Sequence, residues 1–131
     1  MEKEFVGPVT ISILPGADQT HELVGKDKRE RFLLDLWRGT LRLTKIKYQT
    51  RGRKVIVLVR LDIDGAPHTN PDGAKLNGTH IHLYREGFEV KWAYPIDPEK
   101  FCDLSNIQRT LEDFCRYCNI KDSPPFQGGL L

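Results

Sequence analysis

The sequence contains no apolar run approaching the roughly 20 residues that span a bilayer, so no membrane-crossing helix is expected. Its start, Met1-Glu2-Lys3-Glu4, lacks the basic stretch and apolar core of a secretory signal, which predicts a cytoplasmic location. Cysteine is scarce. Cys102, Cys115 and Cys118 form an odd set, which argues against a secreted disulfide framework and for reduced thiols. Cys115 and Cys118 have CxxC spacing, but no second CxxC completes a zinc site, so they are expected as buried core thiols rather than redox groups or metal ligands. No repeat or low-complexity linker interrupts the 131 residues, a length that suits one domain. Residues 1–131 are therefore read as a single domain with extended ends at 1–8 and 123–131.

Acidic side chains are missing where basic ones are dense. Arg38, Arg42, Lys45, Lys47, Arg51, Arg53, Lys54 and Arg60 follow one another with no Asp or Glu between them. The segment 97–122 carries instead Asp97, Glu99, Asp103, Glu112, Asp113 and Asp122. A net charge of only +2 thus hides a dipolar molecule, whose positive side would concentrate polyanions or an acidic protein partner.

Turn formers and periodicity divide the chain into elements. Val9 to Ile13 alternates apolar and polar residues between Pro8 and Pro15-Gly16, which predicts a short strand. Phe32, Leu33, Leu36 and Trp37 fit one face of a helix over 27–38, with Gly39 as its C-terminal cap. Leu41 to Gln49 and Lys54 to Ile63 read as a hairpin turning at Thr50-Arg51-Gly52-Arg53, and the apolar run through Ile56 and Leu58 makes the second strand central in its sheet. Thr79 to Tyr84 and Phe88 to Tyr94 form a second hairpin. A final helix begins at Ser105 with Gln108 completing a capping box, and Ile107, Leu111, Phe114, Cys115 and Cys118 share one face. The expected fold is α+β: an antiparallel or mixed sheet of about five strands with two packed helices, in the order β-α-β-β-β-β-α.

The chemistry concentrates between Asp62 and Glu86. About fourteen residues of turn formers, from Asp64-Gly65 to Asn77-Gly78, make a loop longer than most connections, and such loops often carry function. His68, Asn70 and Asp72 lie on it, and it returns into Thr79-His80-Ile81-His82. On a strand His80 and His82 point to one face, Tyr84 continues that face, and Arg60 joins it if its strand pairs with theirs.

Three readings fit these residues. Metal-independent RNA cleavage needs a base, an acid and a cation. Histidine serves both proton roles near neutrality, so His68, His80 and His82 are acid/base candidates. Arg60, Arg85 or Lys91 would stabilise the phosphate, with Tyr84 beside them. A metal site is the second reading: His80-x-His82 followed by Glu86 matches the first half of a cupin pattern, with Asp62, Asp64 or Asp72 as oxygen ligands, but the second half is absent. Neither a metal nor a cofactor is therefore assigned. The plain structural alternative is that Asn70-Pro71-Asp72-Gly73 is a type I turn whose polar groups serve the loop backbone.

The basic segment supplies candidate nucleic-acid contacts at Arg42, Lys45, Lys47, Arg51, Arg53 and Lys54, joined by Arg85 and Lys91. Tyr48, Tyr84, Trp92 and Tyr94 could stack on unpaired bases, although Trp92 alternates with Val90 as a core residue would.

The run Val57 to Gly73, then Gly78-Thr79-His80-Ile81-His82, then Lys91-Trp92-Ala93-Tyr94-Pro95, with the ending Tyr117-Cys118-Asn119-Ile120, resembles an uncharacterised family of short bacterial and phage proteins. The likeness covers roughly residues 38–131 and implies a prokaryotic or mobile-element setting, where small toxins, defence factors and inhibitors of defence are common. The leading expectation is a small cytosolic nucleic-acid-binding protein, with RNA as its partner and a toxin- or defence-type endoribonuclease as its enzymatic form. The rival is a non-catalytic phage inhibitor that covers a host defence complex with its basic face. A metal-dependent enzyme using the histidine pair is third.

Overall fold

The computed structural model describes residues 1–121 and 126–127. The chain runs β1 (Lys3–Phe5), β2 (Ile11–Ser12), β3 (Asp18–Gly25), β4 (Arg31–Arg38), β5 (Ile46–Gly52), β6 (Ile56–Ile63), β7 (His68–Thr69), β8 (Lys75–Leu76), β9 (His80–Leu83), β10 (Ala93–Tyr94), α1 (Ile107–Tyr117), β11 (Ile120–Lys121) and β12 (Phe126–Gln127). Eight strands form one sheet in the order β10-β9-β6-β5-β4-β3-β1-β11. Its neighbours are antiparallel except β1 and β11, which run parallel.

The alternation of each strand gives the sheet two unlike faces. On the inner face Leu36, Tyr48, Leu61, Ile81 and Tyr94 stand directly opposite one another across five strands. The helix α1 joins this core through Leu111, Phe114 and Cys115, and Phe114 meets the Tyr48 ring at 5.8 Å. Burial of that ring pushes the Tyr48 hydroxyl's pKa well above its ordinary value. The outer face carries most of the charged side chains of these strands, with Leu33 and Trp37 of β4 alongside them.

A β-rich chain with one helix among its described residues replaces the expected α+β fold with two helices and about five strands. The largest correction concerns 27–38, read as a helix and found as β4. Leu34 and Leu36 point inward while Leu33, Asp35 and Trp37 point outward. Because apolar residues occupy both faces, their spacing also fits a helical stripe, and only pairing with β3 and β5 decides the outcome. The polar segment Asp18–Gly25 is β3, whose inward Gln19, His21 and Leu23 alternate too weakly in hydropathy to announce a strand.

Smaller differences follow the same logic. The first hairpin turns at Arg53 and Lys54, both with positive φ (50° and 68°), rather than at 50–53. The predicted N-terminal end contributes β1 to the sheet. Asn106, not Ser105, caps α1, accepting the Arg109 N–H at 3.0 Å. Cys115 and Cys118 are buried, but Cys102 is exposed. The extended end expected over 123–131 lies outside the described residues apart from Phe126 and Gln127, which pair with β2.

Candidate functional site

Register across the outer face builds the site. One row of directly opposed residues runs Thr20, Asp35, Gln49, Arg60, His82, and the next runs Asp18, Trp37, Lys47, Asp62, His80. These side chains come from five strands and are brought together only by pairing.

The site is organised around two carboxylates, Asp35 in the first row and Asp62 in the second. Asp35 accepts hydrogen bonds from Thr20 Oγ1 (2.7 Å), Gln49 Nε2 (2.7 Å) and Arg51 Nε and Nη2 (2.6 and 2.8 Å). Burial works to raise its pKa, but these donors outweigh that and hold the carboxyl below the ordinary carboxylate range. Beside it lies an open groove of about 450 Å³ lined by Asp18, Asp35, Trp37, Lys47, Arg51 and Arg60, among others. Lys45 places its ammonium 5.7 Å from the Trp37 ring centroid.

Asp62 is the second carboxylate. Arg60 reaches it through Nε (3.1 Å) and Nη2 (3.3 Å), and the Nε2 atoms of His80 and His82 lie 3.3 and 3.6 Å from its Oδ2. The Nδ1 of His80 is 2.6 Å from the Asn77 carbonyl and that of His82 is 2.8 Å from the Val90 carbonyl. Only a donor satisfies a carbonyl, so each ring carries its proton on Nδ1 and turns Nε2 inward. The His82 Nε2 then accepts from Arg60 Nη2 at 3.0 Å. Burial pushes the His80 imidazole below its ordinary pKa. Burial alone would raise Asp62, but hydrogen bonding from the His82 ring when it is doubly protonated, together with the Arg60 guanidinium, more than offsets it and holds the carboxyl low.

The long loop is the cover of this cluster. Its neck is closed by the Gly65 N–H donating to Gly78 O at 2.9 Å, and a Cβ on Gly78 would fall 2.0 Å from the Gly65 carbonyl oxygen. Asp64 holds the strand exit at φ 53°, gripped by Arg42, Thr44 and the Thr79 hydroxyl. Between neck and tip, β7 and β8 pair as a small hairpin. Asn70 docks the hairpin by pairing with the backbone of Ala93, donating to its oxygen (3.0 Å) and accepting its N–H (2.8 Å). His68 donates Nε2–H to the Lys91 carbonyl (2.8 Å) and lays its ring 4.7 Å from that of His82 and 5.7 Å from that of His80.

The three histidines therefore do converge, and Arg60 joins them. His80 and His82 are only 1% exposed, so proton transfer to an outside substrate requires the hairpin to lift. Tyr84 is exposed and begins the turn after β9, where its N–H donates to Leu58 O. Asp72 serves the turn, accepting the Ala74 N–H.

The basic candidates separate. Lys47 and Arg51 reach the groove; Arg53 and Lys54 line a second one with Arg31 and Glu22. Arg42 is taken by Asp64, and Arg85 stacks over Trp92 at 4.5 Å. Lys91 is exposed beside the docked loop. Tyr48 is buried, which removes it as a stacking surface. Sequence reasoning missed Asp35, Gln49 and Trp37, whose alternation along 31–38 and 46–52 was the available signal.

Among the described residues, Asp62, His80 and His82 form the group whose ligand atoms converge closely enough for a metal ion, all within 4.8 Å of one another. No helix among the described residues is long and apolar enough to cross a membrane. Fold and site together define a β-sheet protein with a carboxylate, histidine and guanidinium cluster under a hairpin. The chain belongs to a family of unknown function, DUF6978, whose model matches residues 1–120. No curated protein and no solved structure matches it.

Proposed function

We propose that this is a cytosolic nucleic-acid-binding protein of prokaryotic or phage setting that takes single-stranded RNA along the outer face of its sheet. The observation that carries the reading is the open groove, where Trp37 offers a ring for stacking and Lys47 offers a cation for phosphate, beside Arg51 and Arg60, whose guanidinium groups are paired with Asp35 and Asp62. Stacking and ion pairing are the two terms that bind single strands without reading sequence. Binding ranks ahead of cleavage here, because the rings that would transfer protons sit beneath β7 and β8.

Fluorescence anisotropy with a labelled single-stranded RNA tests it. Affinity should fall with rising salt, and Lys47→Glu and Trp37→Ala should each weaken binding by about 10-fold. Salt-independent binding, or none, would overturn the reading. Incubation in EDTA adds the enzymatic arm: cleavage leaving cyclic phosphate ends supports the endoribonuclease form.

A protein partner, as in an inhibitor of a defence complex, is favoured by Asp18 and Asp35 among the groove's cations. It predicts that a His80→Ala, His82→Ala double variant that stays folded keeps its full biological effect.

A further inference from the structure

We propose that Asp62, His80 and His82 bind a first-row divalent metal ion, and that the Arg60 guanidinium competes with the ion for this site. The inference is independent of the nucleic-acid reading and rests on donor geometry.

Three features carry it. The first is spacing. Ligand distances of roughly 2.0–2.2 Å at tetrahedral angles put neighbouring donor atoms roughly 3.3–3.6 Å apart. Two of the three donor separations match it, the Nε2 atoms lying 3.3 and 3.6 Å from Asp62 Oδ2, and all three ligand atoms lie within 4.8 Å of one another. The second is orientation. Histidine ligands to metals characteristically donate the other ring N–H to a carbonyl or carboxylate, which fixes the ring and its tautomer. Both rings do so here, to Asn77 O and Val90 O, which leaves an Nε2 lone pair on each ring facing inward.

The third is rigidity. His80 and His82 are successive outer-face positions of β9, and Asp62 lies directly opposite His80 on β6, so ladder hydrogen bonds fix all three. Imidazole and carboxylate without thiolate suit zinc, iron, cobalt or nickel better than calcium or magnesium. Three protein ligands leave an open position, as catalytic rather than structural zinc sites do.

Arg60 defines that open side. Its Nη2 lies 3.0 Å from His82 Nε2 and 3.3 Å from Asp62 Oδ2, so one lone pair cannot serve both guanidinium and ion. The Arg60 side chain is 30% exposed and lines the groove, which gives it room to withdraw. Metal entry would therefore release Arg60 into the groove.

The full chain, stripped with EDTA and dialysed against Zn(II), should retain one zinc per chain by elemental analysis. Arg60→Met should bind about 10-fold more tightly, and Asp62→Asn and His82→Gln about 100-fold less tightly. Variants that fail to fold leave the decision to the natural chain, whose ¹⁵N spectra should show zinc shifting Nε2 of His80 and His82 while His21 stays in place. Failure of the natural chain to retain zinc overturns the proposal, even if Arg60→Met binds it. Shifts confined to His21 or His68 overturn it too, as does unchanged affinity in folded Asp62→Asn and His82→Gln.

Discussion

Asp35 and Asp62 stand on the same face of the same sheet, on β4 and β6 with β5 between them, yet they are answered in opposite ways. Asp35 meets only donors: a hydroxyl, an amide, and the Nε and Nη2 of Arg51. Asp62 meets Arg60 and two imidazoles that turn acceptor nitrogens towards it. The first arrangement is closed as a hydrogen-bond network and sits half-buried beside an open groove. The second is covered by β7 and β8 and leaves acceptor lone pairs converging. A satisfied network holds a sheet together, whereas convergent acceptors prepare a place for a cation.

The contrast breaks most visibly when each carboxylate is removed. Asp62→Ala should destabilise the fold by about 2 kcal/mol, because it opens a void among the buried polar side chains that the docked hairpin keeps from water. Asp35→Ala, at a site where Arg51 can turn to water, should cost about 1 kcal/mol. Urea unfolding at neutral pH without added metal measures both, and equal losses would erase the distinction.

The cover is tested next. Asn70→Ala removes both hydrogen bonds to Ala93 and should loosen the hairpin by about 1–2 kcal/mol. Amide exchange should rise at Ala93 and across 66–77, while Leu61 and Tyr48 in the sheet centre keep their protection.

A pH effect sharpens the open end. The folded-state pKa of Asp35 lies below its ordinary value of 3.8. Its contribution is therefore full above pH 3.8 and is lost as pH falls through the lower folded value. Asp35→Asn should flatten that part of the acid limb in a stability-against-pH series, and an unchanged limb would refute the assignment. The smallest effect belongs to His68, the outermost ring. Diethyl pyrocarbonate should modify it before His80 and His82, and His68→Ala should change stability by less than about 1 kcal/mol.

The cluster was more legible than the fold around it. The spacing of His80 and His82 places them on one face in any strand, and the run at 56–63 announces a central strand, so His68, the histidine pair and Arg60 could be grouped before any coordinates. The neighbouring β3 and β4 could not. Phe32, Leu33, Leu36 and Trp37 fit a helix as well as a strand buried on both faces, and that mistake hid Trp37 and Asp35 from view. Arg42 and Arg51 also misled, since a run of cations free of acids in sequence meets Asp64 and Asp35 in space. Local pattern reports which residues alternate; only register reports which of them face each other.

Asn70 has a second consequence. The strand β10 ends the sheet, and an edge strand with free backbone groups is a template on which another chain can align. By filling the N–H and carbonyl of Ala93 with a side-chain amide, Asn70 pairs that edge with something that cannot propagate, so the residue that fastens the loop also guards the protein against edge-to-edge aggregation.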